Sequence, residues 1–318
     1  MYNSPSGVPQ GSVLGPYLFT LFVNNILAVI KYSKVLLYAD DMKLYHNIVS
    51  RQDCVQLQHD LDALVQWSVE NDLPLNYKKC EKITFTRKRK VICYEYIMEG
   101  EKLREVHLIR DLGILLDSKL TYKDHISQIT MRATRNSGLI MRTGAYFLNM
   151  TTFKILYFAY VRSHLEFGSV IWSPYKKTGI QQIEKPQKKF LKYLYKTVFE
   201  YYPLDIPYKE LVKGFEMDTL LVRRQLFSLL YVYKLLHSKI DVPLQLSQIG
   251  IKVPYHPNRT GELFHIITPR TESYRSSGLN SILRLYNKLV LQSPEIDIFC
   301  LRNTEFRRKI LLELSVLL

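Results

Sequence analysis

Two adjacent carboxylates interrupt an apolar run at Tyr38-Ala39-Asp40-Asp41, and no other stretch of the 318 residues restricts the fold as much. Residues 35–45 read as two short apolar strands around the pair, which predicts a hairpin with both acids at its turn. Side by side, like charges repel, so folding alone gains nothing from holding them together. Divalent cations reverse that balance. Hard oxygen ligands on a rigid turn suit Mg²⁺, which keeps near-octahedral geometry and also accepts substrate phosphates. Such a site serves in-line phosphoryl displacement. On these residues alone a solvated turn is the alternative, because Asp-Asp is a frequent turn dipeptide.

Around the hairpin the pattern is mixed. Gly, Pro and Ser in residues 1–16 predict a loop, and residues 18–30 carry helical apolar spacing. Residues 52–70 form a strong helical pattern, with Val55, Leu57, Leu61, Leu64, Val65 and Val69 along one side. Strands are expected at 84–86, 91–97 and 112–116, the first two separated by Arg87-Lys88-Arg89-Lys90. From His125 the pattern turns helical, at 125–147, 151–172, 179–198 and 218–237. Beyond Pro243 it becomes loop-rich, with modest strands or helices. The fold class is therefore α+β first and mostly α afterwards. Trp67 and Trp172 are expected to anchor cores, and His164, on an apolar helical pattern, to pack rather than to catalyse.

Charge narrows the partner. Lys and Arg number 44 against 29 Asp and Glu, a net +15. A surface of that sign attracts polyanions, nucleic acid first and an anionic membrane second. No segment is long and apolar enough to span a bilayer: residues 17–30 are short and broken by Asn24 and Asn25. The four cysteines fall in no metal-binding spacing and read as thiols of a reducing compartment, and the first residues lack the features of a signal peptide. An intracellular protein is expected. Between His125 and Phe199, twelve Lys and Arg face only Glu166 and Glu184, an excess of ten. Lys185, Lys188, Lys189, Lys192 and Lys196 recur at three- and four-residue steps, so they share one helix face. Like charges at that spacing repel, and a phosphate backbone would relieve the repulsion while releasing counterions. A solvated lysine face is the alternative. Arg87, Lys88 and Arg89 are equally a turn gripping a duplex or a solvated loop.

Several segments, in order, resemble one family. Ser6-Gly7-Val8-Pro9-Gln10-Gly11, followed by Leu14-Gly15-Pro16 and Leu18-Phe19, is similar to the template- and nucleotide-contacting motif of reverse transcriptases. Tyr38-Ala39-Asp40-Asp41 resembles their catalytic hairpin, and Leu73 through Cys80, with 83–86, their next palm motif. Residues 111–126 resemble the segment near the primer end. Residues 156–174 and Ile183-Glu184-Lys185, with Gln187 and Phe190, are similar to the region behind the polymerase core in jockey-like non-LTR (LINE-type) retrotransposons.

The resemblance implies an RNA-directed DNA polymerase using an RNA template, a DNA primer and dNTPs, with Mg²⁺ or Mn²⁺. Asp40 and Asp41 would bind the metals, Asp40 being the more essential. Gly7, Pro9, Gln10, Gly11, Tyr38 and Ala39 would line the template and nucleotide site. Lys79 would protonate departing pyrophosphate; read from its own neighbours, it is equally a surface lysine beside Asn76. The basic residues at 87–89 and 185–196 would hold the nucleic-acid backbone. The expected domains are a partial palm with a small antiparallel sheet (1–120), a basic helical thumb-like region (121–200) and a C-terminal extension of unassigned role (201–318). The family's third carboxylate lies ahead of the motif that begins here at Ser6. The chain is therefore expected to be a C-terminal portion, inactive alone and poorly soluble, with a non-enzymatic nucleic-acid-binding remnant as the alternative. The parent element's work would place it in the nucleus.

Overall fold

The computed structural model describes residues 7–8, 11–144, 149–202, 204–252, 261–268 and 278–317. They divide into two compact units: one holds the residues up to Asp111 together with Leu116–Thr121, the other Leu112–Leu115 and Tyr122 onward.

The first unit is built on one long helix. α1 (Gly15–Val23) leads through a 3₁₀ turn, Asn24–Ala28, to β1 (Lys34–Tyr38) and β2 (Asp41–Tyr45), then to α2 (Arg51–Glu70). Ser50 and Asp53 close a reciprocal capping box that fixes where α2 begins. Its buried stripe runs through Cys54, Leu61, Leu64, Trp67 and Ser68. Val55 and Val69, expected on that stripe, lie one position off it and are exposed. Ile26, Leu64, Trp67 and Met98 form one cluster with Leu37 and Met42; Cys54, Leu61 and Tyr96 form another with Leu44. Alternate residues of the hairpin thus pack onto α2. α1 turns Tyr17, Leu18 and Leu21 outward, an exposed apolar strip.

Asp60 fixes the base of the hairpin. Fully buried on α2, it accepts hydrogen bonds from the backbone N–H groups of Lys31 (3.0 Å), Tyr32 (3.0 Å) and Ser33 (2.6 Å), the residues that lead into β1. Burial pushes its carboxyl up, but the bonds from Lys31, Ser33 and Tyr32 outweigh burial and hold it below the usual range. A carboxylate with a depressed pKa stabilises the fold above its unfolded value of about 3.9, and that contribution is lost as pH falls through the lower folded value. Asp60→Asn should therefore destabilise the unit by about 2–3 kcal/mol at pH 7. Below about pH 3 the difference should shrink. Urea melts at the two pH values measure both effects.

Further along, β3 (Glu81–Ile83) pairs in parallel with β6 (Arg104–Val106), and β4 (Ile97–Met98) pairs antiparallel with β5 (Glu101–Lys102). The strands expected at 84–86 and 91–97 are displaced: pairing ends at Ile83 and resumes only at Ile97. Thr86 N–H instead bonds Ser118 O and Arg87 Nε bonds Lys119 O, each at 3.0 Å, so the basic tetrapeptide lies in a tethered loop. β7 (Leu108–Asp111) and β8 (Ile114–Asp117) follow. The described strands form two-stranded sheets, one of them parallel, where a single small antiparallel sheet was expected.

Helices make up the second unit: α3 (Lys123–Thr143), α4 (Met150–Tyr157), α5 (Ser163–Glu166), α6 (Ser169–Trp172), α7 (Lys177–Phe199), α8 (Tyr208–Gly214), α9 (Leu220–Leu236) and the single turn α10 (Pro243–Leu246). The continuous helix expected over 151–172 is broken. A π turn spans Phe158–Arg162, and Gly168 turns left-handed at φ 62°. A Cβ at Gly168 would strain the left-handed backbone and meet Ile114 Cδ1 at 2.8 Å, so any other residue there would have to displace that side chain. Trp172 is buried there, donating to Phe167 O at 2.8 Å and meeting the His125 ring edge-on at 5.1 Å. Trp67 and Trp172 anchor cores as expected, and His164 is half-buried.

The tail is more ordered than its composition suggests. α11 (Gly278–Gln292) and α12 (Asn303–Leu317) pack on α9 through Leu226, Leu229, Tyr233, Leu283, Tyr286 and Phe306, among others. Periodic apolar residues outweigh the scattered Pro, Gly and Ser there.

Candidate active site and nucleic-acid face

The hairpin is as tight as the sequence demands. β1 and β2 run in register from Lys34↔Tyr45 to Tyr38↔Asp41, leaving Ala39 and Asp40 as a two-residue turn. Asp41 is the first residue of β2 rather than part of the turn. Ala39 is left-handed at φ 52°, a conformation costing a non-glycine residue about 1–2 kcal/mol. Nine non-glycine residues among those described share positive φ, so strain alone marks nothing.

Adjacency sets the pair apart: Asp72, Glu99 and Asp241 are likewise exposed without a side-chain partner among the described residues, but none of them has a second acid beside it. Acids with structural duties in this chain are visibly engaged. Asp60 binds three backbone N–H groups, Asp53 caps α2, Asp117 accepts from Lys119 and Thr121, and Asp297 accepts from Phe299 and Cys300. Asp40 and Asp41 are exposed, with no side-chain hydrogen bond or ion pair among the described residues. Two hard oxygen donors, adjacent and unspent on a rigid turn, match what a divalent ion needs. The described residues offer no group of three His, Cys, Asp or Glu that could hold a metal. The pair by itself offers two such donors.

The other expected site residues are distributed around the first unit. Tyr38 is exposed at the end of β1. Gly7 (φ 93°) and Gly11 (φ 84°) need the left-handed freedom of glycine, and a Cβ on either would meet nothing within 4 Å. Pro9 and Gln10 lie outside the described residues. Lys79 is exposed on a short 3₁₀ turn, its N–H bonding Asn76 O at 2.9 Å. No hydrogen bond or ion pair joins it to either aspartate among the described residues. Lys88 and Arg89 are exposed beside the tethered Arg87. In the second unit Lys185, Lys188, Lys189 and Lys196 are exposed and Lys192 is half-buried, while Ile183, Phe190, Leu191 and Leu194 are buried, as the periodicity requires. None of the five lysines has an ion-pair partner among the described residues.

A second polar constellation was not legible as such. Glu184 accepts from Tyr208 Oη (2.6 Å) and from the N–H groups of Leu221 (2.8 Å) and Leu220 (3.2 Å), capping α9. The fully buried Arg224 comes within 4.0 Å of the same carboxylate. Gln187 bridges Tyr157, Tyr208 and Asp218 O, while Glu166 receives both Arg223 and Arg162. Burial and the neighbouring Glu184 push the Tyr208 hydroxyl far up, and burial, followed by Glu184, does the same to Tyr157. These residues hold helices together. Their only signal in the sequence was the spacing of acids inside an otherwise basic, apolar stretch.

Residues 2–130 match the sequence profile described as reverse transcriptase (RNA-dependent DNA polymerase). The chain is 33% identical over 136 residues to the RNA-directed DNA polymerase from mobile element jockey of Drosophila funebris, a match covering 39% of this chain and 14% of that protein. Its Drosophila melanogaster counterpart is 35% identical over 132 residues, with the same coverage of 39% and 14%. The probable RNA-directed DNA polymerase from transposon X-element of Drosophila melanogaster is 27% identical over 195 residues, 59% of this chain and 21% of that one. The chain thus spans only 14–21% of the length of these relatives. No solved structure matches it. With the motifs in family order and these relatives, residues 2–130 are similar to the reverse transcriptases of jockey-like non-LTR mobile elements.

Proposed function

We propose that this chain is part of an RNA-directed DNA polymerase that extends a primer 3′-hydroxyl along an RNA template. On this reading the segment 1–120 is palm, 121–200 is a thumb-like helical region and 201–318 is an extension. The observation that carries it is the adjacent Asp40-Asp41 pair, Asp40 in a two-residue turn and Asp41 opening β2, neither side chain partnered among the described residues. Asp40 and Asp41 would hold Mg²⁺, or Mn²⁺ in its place. The bound ions would supply activation of the 3′-hydroxyl and neutralise charge on departing pyrophosphate. The residues of the chain supply position: Gly7 and Gly11 allow close backbone approach beside Pro9 and Gln10, and Tyr38 and Ala39 set the turn that aims both acids outward. Lys79, exposed on its 3₁₀ turn, would donate a proton to the leaving group. The lysine face of α7 would bind phosphate backbone, and the loop at 87–89 would do so independently. The parent element's polymerase would work in the nucleus, on RNA, primer and dNTP.

Magnesium-dependent extension of an oligo(dT) primer on poly(rA), with and without Asp40→Ala, tests the reading. The 318 residues by themselves should extend at under about a hundredth of the rate of a complete jockey-like polymerase, because two carboxylates form an open, weak metal site. Robust extension by the chain alone would refute that expectation. One observation favours a second reading, a non-enzymatic nucleic-acid binder: the described residues hold no third ligand. It expects salt-sensitive binding that Asp40→Ala leaves unchanged, and no synthesis by a longer polymerase that carries this segment. Replacing Lys188 and Lys192 with Gln should weaken binding and lower the slope of log K against log salt by about 2, measured by anisotropy at several salt concentrations. No helix of the described residues is long and apolar enough to cross a membrane.

A further inference from the structure

The basic face of α7 does not stay basic. At 100° per residue, Tyr195 and Phe199 follow Lys188 and Lys192 along the same side of the helix, one and two turns further on. Their rings lie 4.4 Å apart at 36°. Just past the helix end, Lys192 Nζ sits over the Tyr202 ring at 5.4 Å. Phe199 is 58% exposed and Tyr202 44% exposed, so neither ring serves the core. The core-facing aromatics of this helix lie elsewhere: Phe190 is buried against Tyr157, and Tyr193 donates to Met141 O. Complementing the helix dipole explains Lys196 in the last turn but not Lys185 or Lys188 in the middle.

Cations beside rings, Phe199 and Tyr202 exposed and Tyr195 half-buried against Phe199, suit a strand whose bases are free to stack. A paired duplex presents phosphates to lysines but hides its base faces, leaving the aromatics without a partner. Stacking tolerates any base sequence, because every base has a π face. The stretch from Lys185 to Phe199 is about 21 Å long at 1.5 Å per residue, room for about six nucleotides at 3.4 Å spacing. We propose that the C-terminal half of this face binds single-stranded nucleic acid, with Lys188, Lys192 and Lys196 on phosphates and Tyr195, Phe199 and Tyr202 against unpaired bases. The proposal rests on the reading of the lysine face as a phosphate-binding surface and adds which form of nucleic acid it takes.

Anisotropy with the full chain tests it, using labelled oligo-uridine, oligo-thymidine and a blunt duplex of equal length. Tyr195→Leu with Phe199→Leu keeps charge and bulk while removing the rings. This variant should lose at least about tenfold in single-strand affinity, with duplex affinity within twofold and an unchanged salt slope. Tyr202→Ser, outside the helix, should lose about fivefold on single strands and serves if the double variant fails to fold by circular dichroism. A preference for oligo-uridine would identify RNA as the strand, and equal binding would make the site indifferent to the sugar; both support the proposal. Equal losses on duplex and single strand, or none, overturn it while leaving the phosphate-binding reading standing. If the wild-type chain binds none of the three, the phosphate-binding reading falls as well. Binding to phosphatidylserine vesicles that oligo-uridine cannot compete away would put a membrane surface there and overturn the proposal.

Discussion

Replacing Asp40 with alanine, in a complete jockey-like polymerase carrying this segment, should lower primer extension by about a thousandfold or more while leaving nucleic-acid affinity within twofold. The magnitude follows from what the residue supplies. A charge-stabilising group aimed at a transition state is worth about 10²–10³ in rate when it is a neutral donor, and a metal-holding carboxylate carries more, because the ion leaves with it. Asp41→Ala should also be severe, but less so. Stability should hardly change, because neither side chain has a partner among the described residues. A melting temperature within about 2 °C of wild type would confirm that, since unpaired surface positions usually shift stability by under about 0.5 kcal/mol. If synthesis fell only severalfold, the acid pair would be a turn and nothing more.

Glu184 is expected to show the opposite profile. Changing it to leucine should leave the chemistry of the hairpin alone and destabilise the helical unit by about 3–5 kcal/mol. Three groups lose their acceptor at once, Tyr208 Oη and the N–H groups of Leu220 and Leu221, and Arg224 loses its counter-charge. Arg224 is fully buried, and none of its guanidinium nitrogens has a hydrogen-bond acceptor among the described residues. Burial drives its pKa down, and Glu184 is the largest influence opposing that. An uncompensated buried charge is among the costliest single defects a core can carry. In calorimetry the loss should appear as a fall of about 6–20 °C in melting temperature. Removing both charges, Glu184→Leu with Arg224→Leu, should recover much of it, because buried ion pairs contribute little net stability over apolar residues of similar volume. A single variant melting within about 2 °C of wild type would contradict the network's role.

What the sequence disclosed and what it withheld divide along physical lines. The hairpin was legible because alternation at Val35, Leu37, Met42 and Leu44 has period two and the acids break it at one point. α7 was legible because five lysines and four apolar residues fall on opposite sides of a 3.6-residue period. Asp60 was not, since a carboxylate on an amphipathic helix reads as solvent-facing, and only the fold brings the N–H groups of residues 31–33 to it. The break within 151–172 is hidden in the sequence for a similar reason: Gly168 signals a bend only when Ile114 is known to approach it. The two late helices were masked by Pro, Gly and Ser between them, although Leu283, Tyr286 and Leu289 keep helical spacing. Glu184 and Gln187 stood in a segment with a family-like sequence, which did not disclose that they bind Tyr208 and the start of α9.

The central claim is that Asp40 and Asp41 hold divalent ions, and paramagnetic line broadening tests it most directly. Manganese titrated into the isotopically labelled chain should broaden the amide signals of Tyr38, Ala39, Asp40, Asp41 and Met42 first, and Asp40→Ala should abolish that selectivity. Broadening that begins elsewhere, or that survives Asp40→Ala unchanged, would contradict it.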